Sequence, residues 1–376
     1  MPAAADLQQG GPGGFDQGAR LAPRGALRAH DAPWHPYSVR DRIARIELTP
    51  RQFELVSLAA LIALTLIVAT GAAVRLSGSG LGCPDWPRCY GHVYPPLQTH
   101  ALIEFSNRIV SGAVGVVVVL AAIGAWRRRP FRRDLLLLAL LLPLGVIGQA
   151  VLGGYTVEEK LAPGFVMGHF CLSMLILVAA AALAWRSREH PPREAEPDRQ
   201  SMWGVRALLP LATIVVFAGT AATAAGPHSG GATGHIKRLT FEGSDTLNWT
   251  VHVHGAIAFA FGIAAVAVWV LLERRQANAE ARRAMSWLCA LIALQGVVGA
   301  VQFETHLPTE LVWVHVGLAS LSWLCVLWAI AAIGGPNAFW ARKRPEIRAS
   351  VLTHNPATSG PGASFRQASD HLRGVS

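Results

Sequence analysis

Apolar and polar residues follow one another along this chain in long blocks. Eight apolar blocks fall at about 53–74, 101–125, 135–155, 164–185, 206–225, 250–272, 286–304 and 311–333. A helix crosses a bilayer with roughly 20 mostly apolar residues, so each block predicts a transmembrane helix. The second, sixth, seventh and eighth blocks open on polar residues. The ends differ: 1–50 and 336–376 are rich in Gly, Pro, Ala, Ser and charge, and read as a disordered arm and tail. The first apolar block starts too late, after that arm, to be a simple cleaved signal peptide. The stretch 186–205 reads as a polar linker between two four-helix units, 51–185 and 206–335. The expected fold class is an all-α integral membrane protein of eight transmembrane helices, arranged as two pseudo-symmetric four-helix bundles.

Composition agrees: 52% of residues are hydrophobic, only 15% are charged, and mean hydropathy is +0.36, whereas soluble domains carry about 25% charge. The net charge of +10 raises nucleic acid as a partner, but its distribution argues against one. "WRRRPFRRD" (126–134) and "RSREHPPREAEPDRQSMWGVR" (186–206) hold five arginines each, and "ERRQANAEARR" (273–283) holds four. The alternate loops are poor in Lys and Arg. This positive-inside pattern predicts a multi-pass protein of the cell membrane with both termini cytoplasmic and "GCPDWPRC" outside.

The two halves repeat. "QAVLGGYTVEEKLAPGFVMGH" (149–169) matches "QGVVGAVQFETHLPTELVWVH" (295–315) at an offset of 146, and "NRIVSGAVG" from Asn107 matches "HGAIAFAFG" from His254 at an offset of 147. Each half thus offers two facing positions near the outer ends of its helices: 107 and 169, then 254 and 315. Three of the four are histidine.

An ionisable residue inside a membrane helix is costly and by default functional. One such histidine reads equally well as a hydrogen-bonded packing residue. Two, on facing helices of a bundle, fit the axial ligands of a haem iron, whereas zinc wants three or four ligands. His254 and His315 are therefore expected to hold a haem. His252 lies about 200° around the helix from His254 and is the fallback ligand. In the first half, Asn107 is a poor iron ligand. His169 alone, or with a weaker partner, would hold a more labile porphyrin, and His92 and His100 lie nearby. His228, His235 and His306 read as outer-loop surface residues.

Glu104, Asn107 and Arg108 share one helix face. Glu104 reads either as half of a structural ion pair with Arg108 or as an acid/base group at a reacting porphyrin edge, with Arg108 or Arg75 near a propionate. Cys171, Cys289 and Cys325 read as small apolar helix residues. Cys83 and Cys89 flank a Pro-kinked external turn, and a disulfide holding Trp86 as a cap is the main expectation, with two free thiols as the alternative.

In their order, "RLSGSGLGCPDWPRCYG", "EFSNR", His169 in "GHFCLSM", "HVHGAIAFAFG" and His315 in "VWVHVGLAS" resemble haem A synthase, the haem O to haem A oxygenase family of cytochrome oxidase assembly. The resemblance spans about 50–335. It implies oxidation of a methyl group of haem O to a formyl group by two successive hydroxylations and loss of water. It implies haem b in one half, held here by His254 and His315, and haem O as substrate in the other, with His169 as the surviving ligand. It implies a catalytic Glu104 and an external Cys83–Cys89 pair beside the substrate half, near the outer face. Haem O synthase is the natural membrane partner. One departure stands out: the family motif is often Glu-x-x-His-Arg, and this chain carries Asn107 in place of that histidine. Two readings of other classes compete, a non-catalytic cytochrome b electron carrier and a haem transporter or chaperone.

Overall fold

The structure is a computed structural model that describes residues 47–188, 198–228, 230–231 and 236–334. It contains eight long helices: α1 Pro50–Leu76, α2 Thr99–Arg127, α3 Arg133–Glu158, α4 Pro163–Ser187, α5 Arg199–Ala225, α6 Thr246–Arg274, α7 Ala279–Glu304 and α8 Thr309–Ile333. All eight are long and apolar enough to cross a membrane. Each predicted span is extended by a few residues, and four of the helices begin with a side-chain cap. Thr49 and Gln52 form a reciprocal capping box at α1, and the side chains of Asp198, Asp245 and Asn278 accept backbone N–H groups at the starts of α5, α6 and α7. Helix α5 opens at Arg199, inside the stretch expected as linker. Residues 47–49 lie against the α2–α3 turn, with Leu48 N–H donating to the Arg127 carbonyl at 3.1 Å. The expected arm and tail otherwise lie outside the described residues, as does His235.

The helices of each half pack as a closed ring: α1 on α2, α2 on α3, α3 on α4, α4 on α1, and likewise α5 through α8. Between the halves, α1 packs on α8, α4 on α5, and α4 on α8. Exchanging each helix with the one four places along maps this set of pairs onto itself. The indole N–H of Trp323 donates to the Met174 carbonyl at 3.1 Å, and that of Trp313 to the Ala69 carbonyl at 2.8 Å, tying α8 to α4 and to α1.

The repeat also holds bond for bond in the α3–α4 and α7–α8 turns. Leu161 N–H reaches the Thr156 carbonyl at 2.8 Å, and Leu307 N–H reaches that of Gln302 at 2.6 Å. Lys160, Leu161, His306 and Leu307 all take positive φ, between 52° and 64°. These are Schellman-type helix ends built without glycine. A leucine stands at each second position, and Leu161 is buried.

The buried core is uneven along the helix axes. Fully covered side chains such as Phe53, Leu135, Leu183, Leu272, Leu288 and Leu327 crowd the face bearing the α2–α3 and α6–α7 turns. In α4 no residue before Met174 is buried, in α7 none after Leu288, and in α8 none before Ser320. The opposite, distal part of the bundle therefore owes little to close packing of its own side chains. The singled-out histidines stand there. Cys171, Cys289 and Cys325 are free and half-buried.

Candidate functional site

In the second half, α6 carries His254 and α8 carries His315, and their rings face each other with centroids 6.3 Å apart and planes at 72°. Two imidazoles each bonded at roughly 2 Å to one metal place their ring centres about 6 Å apart, so the pair has the spacing of a shared ion. Small residues make the room. A Cβ at Gly219 of α5 would stand 3.0 Å from His254 Cε1, and one at Gly299 of α7 would stand 3.3 Å from His315 Cε1. The Nδ1 of His315 is buried without a hydrogen-bond partner, and the His254 ring lies against the Val215 backbone. His252, two residues along, is exposed, bonds the Asn248 carbonyl through Nδ1 at 2.7 Å and meets Phe303 edge-on. Of the two sequence candidates on α6, His254 is the one that faces a partner.

In the first half, His169 of α4 lies against Gly153 of α3 as His315 lies against Gly299: a Cβ at Gly153 would again stand 3.3 Å from the imidazole Cε1. Its Nδ1 is likewise buried and unpartnered. Gln149 of α3 donates through Nε2 to the His169 carbonyl at 3.0 Å and to Ser173 Oγ at 2.7 Å, which fixes the turn of α4 that presents the ring. This glutamine opens the repeat, so its position was legible in the sequence, but its role was not. The position across from His169 differs from its counterpart. Asn107 Oδ1 is buried without a partner, where the matching residue of the second half, His254, meets His315. A groove of about 340 Å³ runs between α1 and α2, lined by Thr70, Ala73, Val74, Ile103 and Asn107 among others.

Above this half sits the loop that joins α1 to α2. Cys83 and Cys89 are disulfide-bonded and fully buried. The Trp86 ring lies on the backbone of Gly154, where a Cβ would come within 3.0 Å of it, and the next residue back, Gly153, is the one against His169. The loop thus bears on the helix turn behind that imidazole. A Cβ at Gly82 would overlap the His100 carbonyl at 2.1 Å, so the loop can approach the start of α2 only with glycine there. His100 Nδ1 pairs with Ser79 Oγ at 2.9 Å, and His92 stacks on Tyr94. His228 bonds the Leu307 carbonyl at 2.6 Å, while His306 is exposed.

Glu104 is buried and divides its oxygens between two partners. Oε2 accepts the Cys83 N–H at 2.8 Å, and Oε1 pairs with Arg108 at 2.5 Å. Arg108 also donates to the carbonyls of Asp85 at 3.2 Å and Arg88 at 2.8 Å. The two side chains, one turn apart on α2, therefore clamp the disulfide loop from below. From above, Asp85 accepts the N–H groups of Tyr90 at 2.6 Å and Gly91 at 2.7 Å. The amide of Gly91, with that of Tyr90, holds the Asp85 carboxyl below its ordinary range. A depressed carboxyl contributes stability above its unfolded pKa and loses it as pH falls through the folded one, so this tie persists from neutral pH until strong acid.

Eight helices long enough to span, paired imidazoles inside the bundle and a disulfide-clasped distal loop define a polytopic membrane protein. The chain belongs to the COX15-CtaA family of cytochrome oxidase assembly proteins, whose profile matches residues 54–327. Relatives include the heme A synthases of Shewanella oneidensis, 32% identical over 170 residues (40% of this chain and 49% of that protein), and of Bacillus licheniformis, 34% identical over 123 residues (32% and 41%). A third, from Halalkalibacterium halodurans, is 35% identical over 124 residues (32% and 42%). The chain spans less than half the length of each of these relatives in the matched stretch.

Proposed function

We propose that this chain is a haem A synthase of the cell membrane, converting a methyl group of haem O into the formyl group of haem A. The observation that carries the proposal is the facing pair His254 and His315, at the spacing of two imidazoles on one ion. Among the described residues no group of three His, Cys, Asp or Glu gathers. A two-imidazole set suits porphyrin iron, whose remaining four ligands come from the macrocycle. The glycines that leave room for the two rings fit such a group.

In this reading the second half holds haem b between His254 and His315, and haem b supplies one-electron transfer. The first half holds haem O with His169 as its single imidazole. Net chemistry is a four-electron oxidation of one methyl group, through the alcohol and a geminal diol that loses water, with the oxygen atoms and the terminal electron acceptor supplied from outside the chain. Gln149 fixes the turn bearing His169, and the clasped loop excludes bulk water from the distal side. Glu104 accepts hydrogen bonds from the Cys83 N–H and from Arg108. To take a proton from substrate it must release either the Cys83 N–H or Arg108, so proton handling and loop closure are coupled. The arginine-rich loops support cytoplasmic termini and, with them, a site near the outer face. Haem O arrives within the membrane, from a haem O synthase.

The test is expression of the chain with a haem O source and mass identification of extracted porphyrins. Haem A or its hydroxylated precursor is expected. Their absence, with an active relative producing them in the same host, defeats the proposal.

Two further outcomes follow. Asn107→His supplies the imidazole missing from the first half and is expected to raise low-spin bis-histidine haem per chain roughly twofold, read from the optical spectrum. An unchanged spectrum would place residue 107 away from the iron. Cys83→Ser opens a short loop whose closure is worth about 2 kcal/mol in chain entropy. It is expected to lower turnover or substrate retention more than haem b content. Equal loss of both would make the loop a general folding element.

A further inference from the structure

Arg75 stands near the distal end of α1, inside a membrane-spanning helix. Among the described residues no acidic side chain pairs with it, and no hydrogen bond engages its guanidinium. The neighbouring cation behaves differently: Arg108 spends its donors on Glu104 and on the carbonyls of Asp85 and Arg88. Arg75 is roofed over as well. A Cβ at Gly230 would stand 3.1 Å from Arg75 Cγ and 2.9 Å from Leu161 Cδ1, and the Gly230 carbonyl accepts the Gly80 N–H at 2.7 Å, so the distal loops of the two halves close directly over the arginine stem. Beneath this roof is a narrow, partly open cleft with room for about one water-sized group, such as a carboxylate oxygen. Arg75 and Lys237 both line it, with Pro163 and Val166 of α4, and no described carboxylate does. Val166 is one helical turn from His169, about 4.5 Å along the α4 axis.

A cation withdrawn from water is tolerated where an anion meets it, and an intramembrane arginine marks the place where that anion belongs. We propose that Arg75, assisted by Lys237, binds a propionate carboxylate of the porphyrin held in the first half, anchoring that porphyrin's polar edge at the junction between the halves. The inference rests on the first half being a porphyrin chamber. It assigns to Arg75 the propionate contact for which the sequence offered Arg75 and Arg108 equally. A guanidinium suits the role because it stays charged and meets a carboxylate through two parallel N–H donors. Anchoring at the distal junction also directs the rest of the macrocycle inward, past His169.

The test uses the full-length protein in phosphatidylcholine nanodiscs, loaded with haem b or with its dimethyl ester. Porphyrin is counted by mass, and the low-spin spectrum of the second half serves as internal control. Wild-type protein is expected to retain the free acid in the first half roughly tenfold longer than the ester. Arg75→Gln is expected to remove that preference while leaving the low-spin signal intact, and Arg75→Lys to keep part of it. Equal retention of acid and ester by the wild type overturns the inference without recourse to any variant, as does a preference that survives in Arg75→Gln. A phosphatidylglycerol molecule that copurifies with the wild type and is lost in Arg75→Gln, with porphyrin preference unchanged, makes this a lipid site and overturns it too. If the first half retains neither porphyrin, it is the chamber reading that has failed.

Discussion

His315→Ala is expected to strip the second half of its haem, lowering haem b content by more than roughly 100-fold, since even changes in groups that merely support a metal ligand cost 10–100-fold in affinity. The geometry makes the expectation specific. His254 and His315 are the only pair of imidazoles found edge to face among the described residues, and an alanine leaves His254 with no partner across the 6.3 Å gap. His254→Ala is expected to do the same. His252→Ala provides the contrast, because that ring is exposed and engaged with the Asn248 carbonyl, and its loss is expected to leave the low-spin spectrum unchanged. Porphyrin content by mass and the low-spin absorption of purified protein check all three. A His315→Ala protein that keeps its low-spin haem would remove the foundation of the proposed function.

Glu104→Ala is the second large effect. Its removal leaves Arg108 without its charged partner and the Cys83 N–H without an acceptor, in a site where the side chains of Glu104 and Arg108 are only 8% and 18% exposed. Breaking such a pair from one side costs about 3–5 kcal/mol, most of it from the stranded charge. Fast amide exchange across residues 82–92 is the expected local signature. Haem A formation is expected to fall by roughly 100-fold or more, the usual contribution of a positioned acid or base. Glu104→Gln separates the two roles. The amide oxygen can still accept the Cys83 N–H, so the loop should remain protected, while proton transfer is lost. Normal turnover in Glu104→Gln would reduce Glu104 to a clamp for the loop.

Much of this was legible without coordinates, for a physical reason that differs by feature. The bilayer imposes the apolar spans, because backbone groups in lipid must bond within their own helix. Helix ends were read less well, since polar residues continue the helices beyond their apolar runs, in some cases from caps such as Thr49, Asp198 and Asn278. The duplication was legible because glutamine, glycine, leucine and histidine recur at one offset. The choice of His254 over His252 could be made from that register, and the exposed His252 ring agrees with it.

Other features had no sequence signal. Glu104 and Arg108 are one turn apart on α2, and spacing alone allows a bare ion pair. That the pair grips the loop through Cys83, Asp85 and Arg88 depends on residues some twenty positions away in the chain. Trp86 on Gly154, and Gly230 over Arg75, are meetings of distant backbone with side chain that no periodicity encodes.

By itself, then, the sequence determined what must be true locally: eight membrane-spanning helices, their twofold repeat, and an imidazole missing from one half. Those follow from hydropathy and from residue identity at fixed spacing, which act along the chain. Which groups meet was decided by the tertiary structure alone. It brought His254 to His315, closed the disulfide loop onto α2 and α3, and set Gly230 over the Arg75 stem, because such pairings are set by how helices pack across the bundle.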